Sequence, residues 1–193
     1  MKFTEQIIKG VYEIQLEPRE DERGFFMRAY DDHIFREQGL HRNWVHENHS
    51  LSKIKGTVRG LHFQYAPDSE TKLLRVITGE IFLVYVDLRK GSPTLGKWGS
   101  IVLSGEKKNM VYVSRGFVGG MCTLTDNVHL YYKVDNYYAQ KNEDNIKWND
   151  PDLGIKWPIQ TPSVISQRDE NAQSFKDFLN KSGGGILVDY SKP

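Results

Sequence analysis

The chain has 193 residues and a formal net charge of +1, enough length for a substantial core and no excess of cations that would point to nucleic acid as a partner. Its single cysteine, Cys122, excludes a disulfide framework and leads us to expect a cytoplasmic protein in which this thiol is a small buried hydrophobe. No apolar run reaches membrane-spanning length and the N-terminus lacks a signal-peptide core, so no membrane partner is expected.

Val11 to Leu16 alternates apolar and polar residues and is predicted as a strand, closed by Pro18. A turn at Asp21 to Gly24 leads to a second strand from Phe25 to Tyr30. Asp31 or Asp32 can cap a short helix over His33 to Gln38, which Gly39 stops. Trp44-Val45-His46 opens another strand, and Asn48-His49-Ser50 is expected to lead into a polar, basic loop through Gly56. Val58 to Gln64 is a strand bearing Arg59-Gly60-Leu61-His62-Phe63-Gln64, and Lys72 follows after a loop. These residue types suit one chemistry. An arginine grips phosphate through parallel N–H bonds, a histidine exchanges protons near neutral pH, and a lysine holds charge that develops on an oxygen. Taken alone, the same residues also fit a solvated basic patch beside a core histidine.

Lys72 to Ile77 and Ile81 to Leu88 are apolar on both sides of Thr78-Gly79-Glu80 and are predicted as a hairpin. Trp98 to Leu103 and Met110 to Val113 are two more strands. Arg115-Gly116-Phe117-Val118-Gly119-Gly120 is glycine-rich, but no helical pattern follows it, so a bulge or a barrel corner is expected in preference to a phosphate cradle. Met121 to Leu124 and His129 to Asp135 are predicted as a second hairpin. Trp148 to Pro158 is expected to be an ordered loop over a core edge. Ser166-Gln167-Arg168-Asp169 has capping-box spacing and starts a helix with Ala172, Phe175, Phe178 and Leu179 on one face. About ten short strands with marginal helices predict an all-β fold, a jelly-roll sandwich or barrel with short peripheral helices. One domain is expected over residues 1–183, followed by a loose tail over 184–193.

Several short blocks occur in a specific order: Asp21-Glu22-Arg23-Gly24-Phe25-Phe26, Asn48-His49-Ser50, Arg59 to Gln64, Lys72-Leu73-Leu74-Arg75-Val76, Val86-Asp87-Leu88-Arg89, Ser92-Pro93-Thr94, Asn136-Tyr137-Tyr138 and Trp148-Asn149-Asp150-Pro151. The set resembles the dTDP-4-dehydrorhamnose 3,5-epimerase family of cupin-fold nucleotide-sugar epimerases, over roughly residues 5 to 170. The resemblance implies a cupin jelly roll, a homodimer, no metal and no organic cofactor, and a nucleoside-diphosphate 4-keto-6-deoxy sugar as substrate. His62-Phe63-Gln64 lacks the second histidine that usually opens a metal cupin's ligand set, in agreement with that. The resemblance makes His62 the base, Asp169 the carboxylate that orients it, Lys72 the enolate-stabilising group and Tyr132 the acid. It places Arg59 and Arg23 on the diphosphate and Tyr138, with Tyr137 beside it, near the nucleotide base. Asn48 is a candidate for the pocket wall.

Each role has a plainer counterpart: a helix cap for Asp169, core packing for Tyr132, a surface ion pair for Arg23, and a strand-end hydrogen bond for Asn48. The chain also departs from the family. Gly119 stands where a histidine is common and Leu83 where an aspartate is common, a second polar pair lost together. Arg28 and His46 stand where an acidic residue and a glutamine are common, on the expected substrate wall. Inversion of one carbon, or another sugar, is therefore expected. The alternatives are a nucleotide-sugar 3,4-ketoisomerase and a non-catalytic cupin that binds a nucleotide sugar.

Overall fold

A computed structural model describes residues 1–188. Most strands belong to two antiparallel sheets that face each other. The first, in spatial order, contains β1 (Lys2–Glu5), β2 (Val11–Gln15), β10 (Asn109–Val113), β7 (Lys72–Thr78), β12 (Val128–Val134) and β5 (His46–Ser52). The second contains β13 (Glu143–Asn145), β6 (Val58–Gln64), β11 (Phe117–Thr123), β8 (Glu80–Asp87) and β9 (Trp98–Ser104). A separate hairpin, β3 (Arg19–Asp21) and β4 (Gly24–Phe26), projects with every residue exposed. This is the expected cupin-type sandwich.

Three apolar layers hold it together. Val76, Leu83, Tyr85, Val111 and Met121 pack between the sheets. Outside the first sheet, Ile14, Leu73 and Tyr112 meet Phe35 of α1 (Asp32–Glu37), which Asp31 caps by accepting from the amides of His33 and Ile34. Outside the second, Leu61, Val84, Val86 and Val118 lie under Phe178 of α3 (Phe175–Ser182). Fully burying one such side chain contributes about 1.5–3 kcal/mol. Cys122 is buried as expected, and burial raises its thiol pKa. The 148–158 loop is ordered over the core edge, where the Trp157 indole donates to the Trp148 carbonyl at 2.7 Å.

Neither predicted hairpin forms. β7 and β8 lie in different sheets, and so do β11 and β12. Both faces of β8 are buried, one against the inter-sheet core and one under α3, because it is a middle strand of its layer. A turn at Gly79 reverses the chain equally well within one sheet or from one sheet to the other. The two corners stack: the Glu80 amide donates to Thr125 Oγ1 at 3.0 Å.

The segment from Asn48 to Ser50 is not a loop entrance but the middle of β5. It is an edge strand whose outward residues Glu47, His49 and Leu51 are exposed, and that exposure explains its polar composition. The strand expected through Tyr30 ends at Phe26, and β13 lies in a stretch too polar to predict. The expected single C-terminal helix is two, α2 (Gln167–Glu170) and α3, because Ser174 starts a new helix by accepting from the Asp177 amide at 3.1 Å. The glycine-rich segment carries a bulge, with a register shift between Gly119 and Met121. The tail is not loose as far as Val188. Ile186 is buried under the second sheet, its amide donates to the Leu88 carbonyl at 2.7 Å, and its carbonyl accepts from the Lys90 amide at 2.9 Å. Residues 189–193 lie outside the described residues.

Candidate active site

Between the sheets is a cavity of about 510 Å³. Its apolar floor includes Leu74, Leu83, Phe117, Met121 and Leu130. His62, Lys72, Tyr132, Asp169, Arg59 and Gly119 all line it. His62 and Arg59 come from β6 of the second sheet. Lys72 and Tyr132 come from β7 and β12 of the first. Base and acid candidates therefore stand on opposite walls.

His62 and Asp169 form the central pair. His62 Nε2 is 2.5 Å from Asp169 Oδ1, and the Gly60 amide donates to Asp169 Oδ2 at 3.1 Å. A carboxylate partner assigns the ring proton to Nε2, so the neutral ring carries its lone pair on Nδ1. Burial of Asp169 raises its pKa, but the His62 hydrogen bond and charge, with the Gly60 amide, hold it below the usual range. α2 presents this carboxylate: Ser166 Oγ caps the helix by accepting from the Asp169 amide at 3.1 Å. Capping and histidine orientation thus use different atoms of one residue.

Lys72 Nζ is 3.0 Å from Glu70 Oε1, with the lysine side chain 24% exposed. Burial pulls the ammonium toward its neutral form, but the charge and hydrogen bond of Glu70, together with the charges of Tyr132 and Glu143, outweigh this and hold its pKa above the ordinary value. Arg59 donates from Nε to Ser52 Oγ at 3.0 Å and from a terminal nitrogen to the Leu51 carbonyl at 3.2 Å. The guanidinium is thereby anchored with donors to spare.

Gly60 has φ +108°, and a Cβ there would lie 2.8 Å from both the Gly119 carbonyl oxygen and Gly120 Cα, so only glycine lets β6 and β11 approach here. Gly119 differs. It pairs with His62 across the strands, and the nearest atom to an added Cβ is 3.9 Å away. Gly119 and Leu83 share the cavity-facing side of adjacent strands, so the wall beside His62 is open and apolar there.

Other expected residues are less central. Asn48 pairs with Tyr132 across β5 and β12 and so shares its inward face. His46 pairs with Val134 and packs edge-on against Tyr137 at 5.1 Å. Tyr138 is exposed. Its hydroxyl donates to Glu143 at 2.7 Å, and Glu143 pairs at 2.8 Å with Arg168, which lines the cavity. Arg23 and Arg28 do not line it. Arg23 sits on the projecting hairpin, 84% exposed and paired with Asp21, and Arg28 pairs with Asp31 at 2.9 Å. Glu70 and Arg168 were not singled out from the sequence. Each stands within two residues of one that was, and in an extended segment that spacing already places Glu70 on the Lys72 side.

Comparison with known proteins bears on these groups. A family model described as dTDP-4-dehydrorhamnose 3,5-epimerase matches residues 5–177. The dTDP-4-dehydrorhamnose 3,5-epimerase of Shigella flexneri is 44% identical over 158 residues, which are 81% of this chain and 86% of that protein. The structure of the Bacillus anthracis dTDP-4-dehydrorhamnose 3,5-epimerase with TDP and PPi bound has a TM-score of 0.88 at 36% identity, covering 90% of this chain and 99% of that one. ChmJ, a 3'-monoepimerase from Streptomyces bikiniensis in complex with dTDP-quinovose, has a TM-score of 0.87 at 29% identity, covering 95% and 92%.

Proposed function

The chain belongs to the dTDP-4-dehydrorhamnose 3,5-epimerase family, and from that premise we propose how its own residues carry the reaction and where it departs from its relatives. It is an isomerase that epimerises a nucleotide-linked 4-keto-6-deoxy sugar. The observation that carries the assignment of roles is the pairing of walls around one cavity, with His62 of the second sheet, backed by Asp169 of α2, on one side and Lys72 with Tyr132 of the first sheet on the other.

The C4 ketone acidifies the C–H bonds on C3 and C5. His62 takes the proton on Nδ1, and Asp169 stabilises the imidazolium that results. The electron pair moves onto O4 as an enolate, where Lys72 holds the charge. Tyr132 returns a proton to the same carbon from the opposite wall, which inverts it. Tyrosinate and imidazolium then exchange protons with solvent. Arg59 holds the diphosphate, and Tyr138 with Arg168 lies toward the nucleotide.

We assign inversion to one carbon, or to a sugar other than the usual one, on the strength of Leu83 and Gly119. Deprotonating two carbons needs two ring poses, and positioning supplies a large share of rate acceleration. The wall beside His62 lacks the polar pair that could hold one of them. The deciding experiment is incubation with dTDP-4-keto-6-deoxyglucose in D₂O. Deuterium at a single carbon is expected. Rapid uptake at both C3 and C5 with a doubly inverted product overturns the single-centre reading, and no exchange with any nucleotide 4-keto sugar overturns the epimerase assignment.

The functional unit is read as a single domain, with Ile186 packed on it, in a cytoplasmic homodimer. Two exposed phenylalanines on the projecting hairpin, Phe25 at 55% and Phe26 at 69%, support an assembled form, which sedimentation velocity tests. No helix among the described residues is long and apolar enough to cross a membrane.

A further inference from the structure

Epimerisation as described leaves one charged group in the cavity without a role. Glu70 lies two residues before Lys72, and both side chains line the cavity while only 14% and 24% exposed. One carboxylate oxygen is 3.0 Å from Lys72 Nζ, and the other accepts from Gln64 Nε2 at 3.4 Å. Gln64 is itself buried. Its two amide hydrogens are shared among Glu70, the Asp68 carbonyl at 2.8 Å and the Tyr137 carbonyl at 3.2 Å, and its oxygen accepts from the Ala139 amide at 2.7 Å. The carboxylate is thus held between the ammonium and an amide that grips the backbone on both sides of Tyr138.

A carboxylate beside a group that must gather negative charge weakens that group's field. It also supplies what a buried lysine needs, an opposite charge that favours the ammonium. An ammonium has three N–H donors, so a contact with Glu70 leaves two for O4. A neutral amine could not stabilise an enolate in the same way. We propose that Glu70 is a positioning residue for the epimerisation: it fixes Lys72 Nζ on the cavity wall and keeps it charged, and through Gln64 it ties this group to the segment bearing Tyr138. The proposal rests on the reading of Lys72 as the residue that holds O4.

Other charges face Lys72 from several elements. Tyr132 of β12 and Glu143 of β13 favour the ammonium along with Glu70. Arg59, Arg168 and, when protonated, His62 line the same cavity and oppose it, and Asp169 offsets His62. Where Thr71 precedes Lys72, its amide donates to Asp135, which is compensated by Arg115 at 3.0 Å and Arg42 at 3.5 Å. Of these groups Glu70 exerts the largest influence favouring the charged form.

The test uses the full chain labelled with [¹³C]lysine, the Lys72 resonance being assigned with Lys72→Arg. In Glu70→Gln the Lys72 titration midpoint is expected to fall by about one pH unit or more. The alkaline limb of kcat for deuterium exchange should move to lower pH in step, and Glu70→Asp should restore both in part. An unchanged Lys72 midpoint in folded Glu70→Gln overturns the proposal at any exchange rate. A shifted midpoint with an unmoved alkaline limb reduces Glu70 to a structural contact and also overturns it. If Glu70→Gln does not fold, Glu70→Asp carries the test, with a smaller fall expected and no fall overturning the proposal. Wild-type protein that exchanges no deuterium overturns the epimerase reading, and the lysine titration then still decides separately whether Glu70 controls Lys72.

Discussion

Asp169 has two neighbours that draw on different oxygens: His62 on Oδ1 and the Gly60 amide on Oδ2. Removing its charge leaves the histidine without the partner that sets its tautomer. Asp169→Asn should therefore fold and yet lose deuterium exchange by ~10²-fold or more, as should His62→Ala, because general-base catalysis contributes at least that much. Folded variants with near-normal exchange contradict the assignment. Arg59 supports a separate prediction. Arg59→Lys keeps the charge but loses the planar fork, and hydrogen bonds to charged groups are worth about 1.5–3 kcal/mol. Affinity for the nucleoside diphosphate alone, measured by calorimetry, should fall about tenfold or more. Unchanged affinity places Arg59 outside the diphosphate site.

At the level of elements, the crossing of β6 and β11 sets how closely the His62-bearing strand can lie against its neighbour. The two glycines at that crossing should respond in opposite ways. Gly60→Ala must displace backbone and keep a positive φ, so a loss of about 1–3 kcal/mol is expected. Gly119→Ala meets open space and ordinary strand geometry, so thermal unfolding should be unchanged or improved by about 0.5–1 kcal/mol. Equal effects at both positions contradict this account of the crossing. α2 is only four residues long, so its cap weighs heavily. Ser166→Ala should cost about 1 kcal/mol in chemical unfolding and should lower exchange as well, because the cap holds the turn that presents Asp169. Loss of stability with undiminished exchange separates the cap from catalysis.

Across the whole molecule, stability at low pH depends on buried carboxylates. Asp87 is fully buried. Burial raises its pKa, but hydrogen bonds from Arg89, Ser92 and Thr94 hold it below the ordinary value, and Asp169 is lowered as well. An unfolded aspartate titrates near pH ~3.9. The stability these groups contribute is present above that pH and is lost as pH falls through their lower folded values. The melting temperature should be level in this respect near neutrality and decline below about pH 4. Asp87→Asn should flatten that decline. A melting temperature that holds to pH ~2 in the wild type contradicts it.

By itself the sequence determined the strand-rich class, the order of most strands, the α1 cap, the bulge near Gly119, and the family. These are local signals: alternation, caps and turn residues act over a few positions, and short ordered motifs survive in one dimension. The tertiary structure decided which strands share a sheet. Thr78-Gly79-Glu80 looks like a hairpin turn, yet the reversal carries the chain across the sandwich, since only packing on both faces of β7 and β8 distinguishes the two outcomes. It also placed Asp169 2.5 Å from His62 across more than a hundred residues and set the His62 and Lys72 walls opposite each other, which no local rule can do. That Glu70 and Arg168 face the cavity was decided in space: spacing puts Glu70 on the Lys72 side, but a charged residue in a polar stretch looks the same in sequence whether that side is solvent or a cavity.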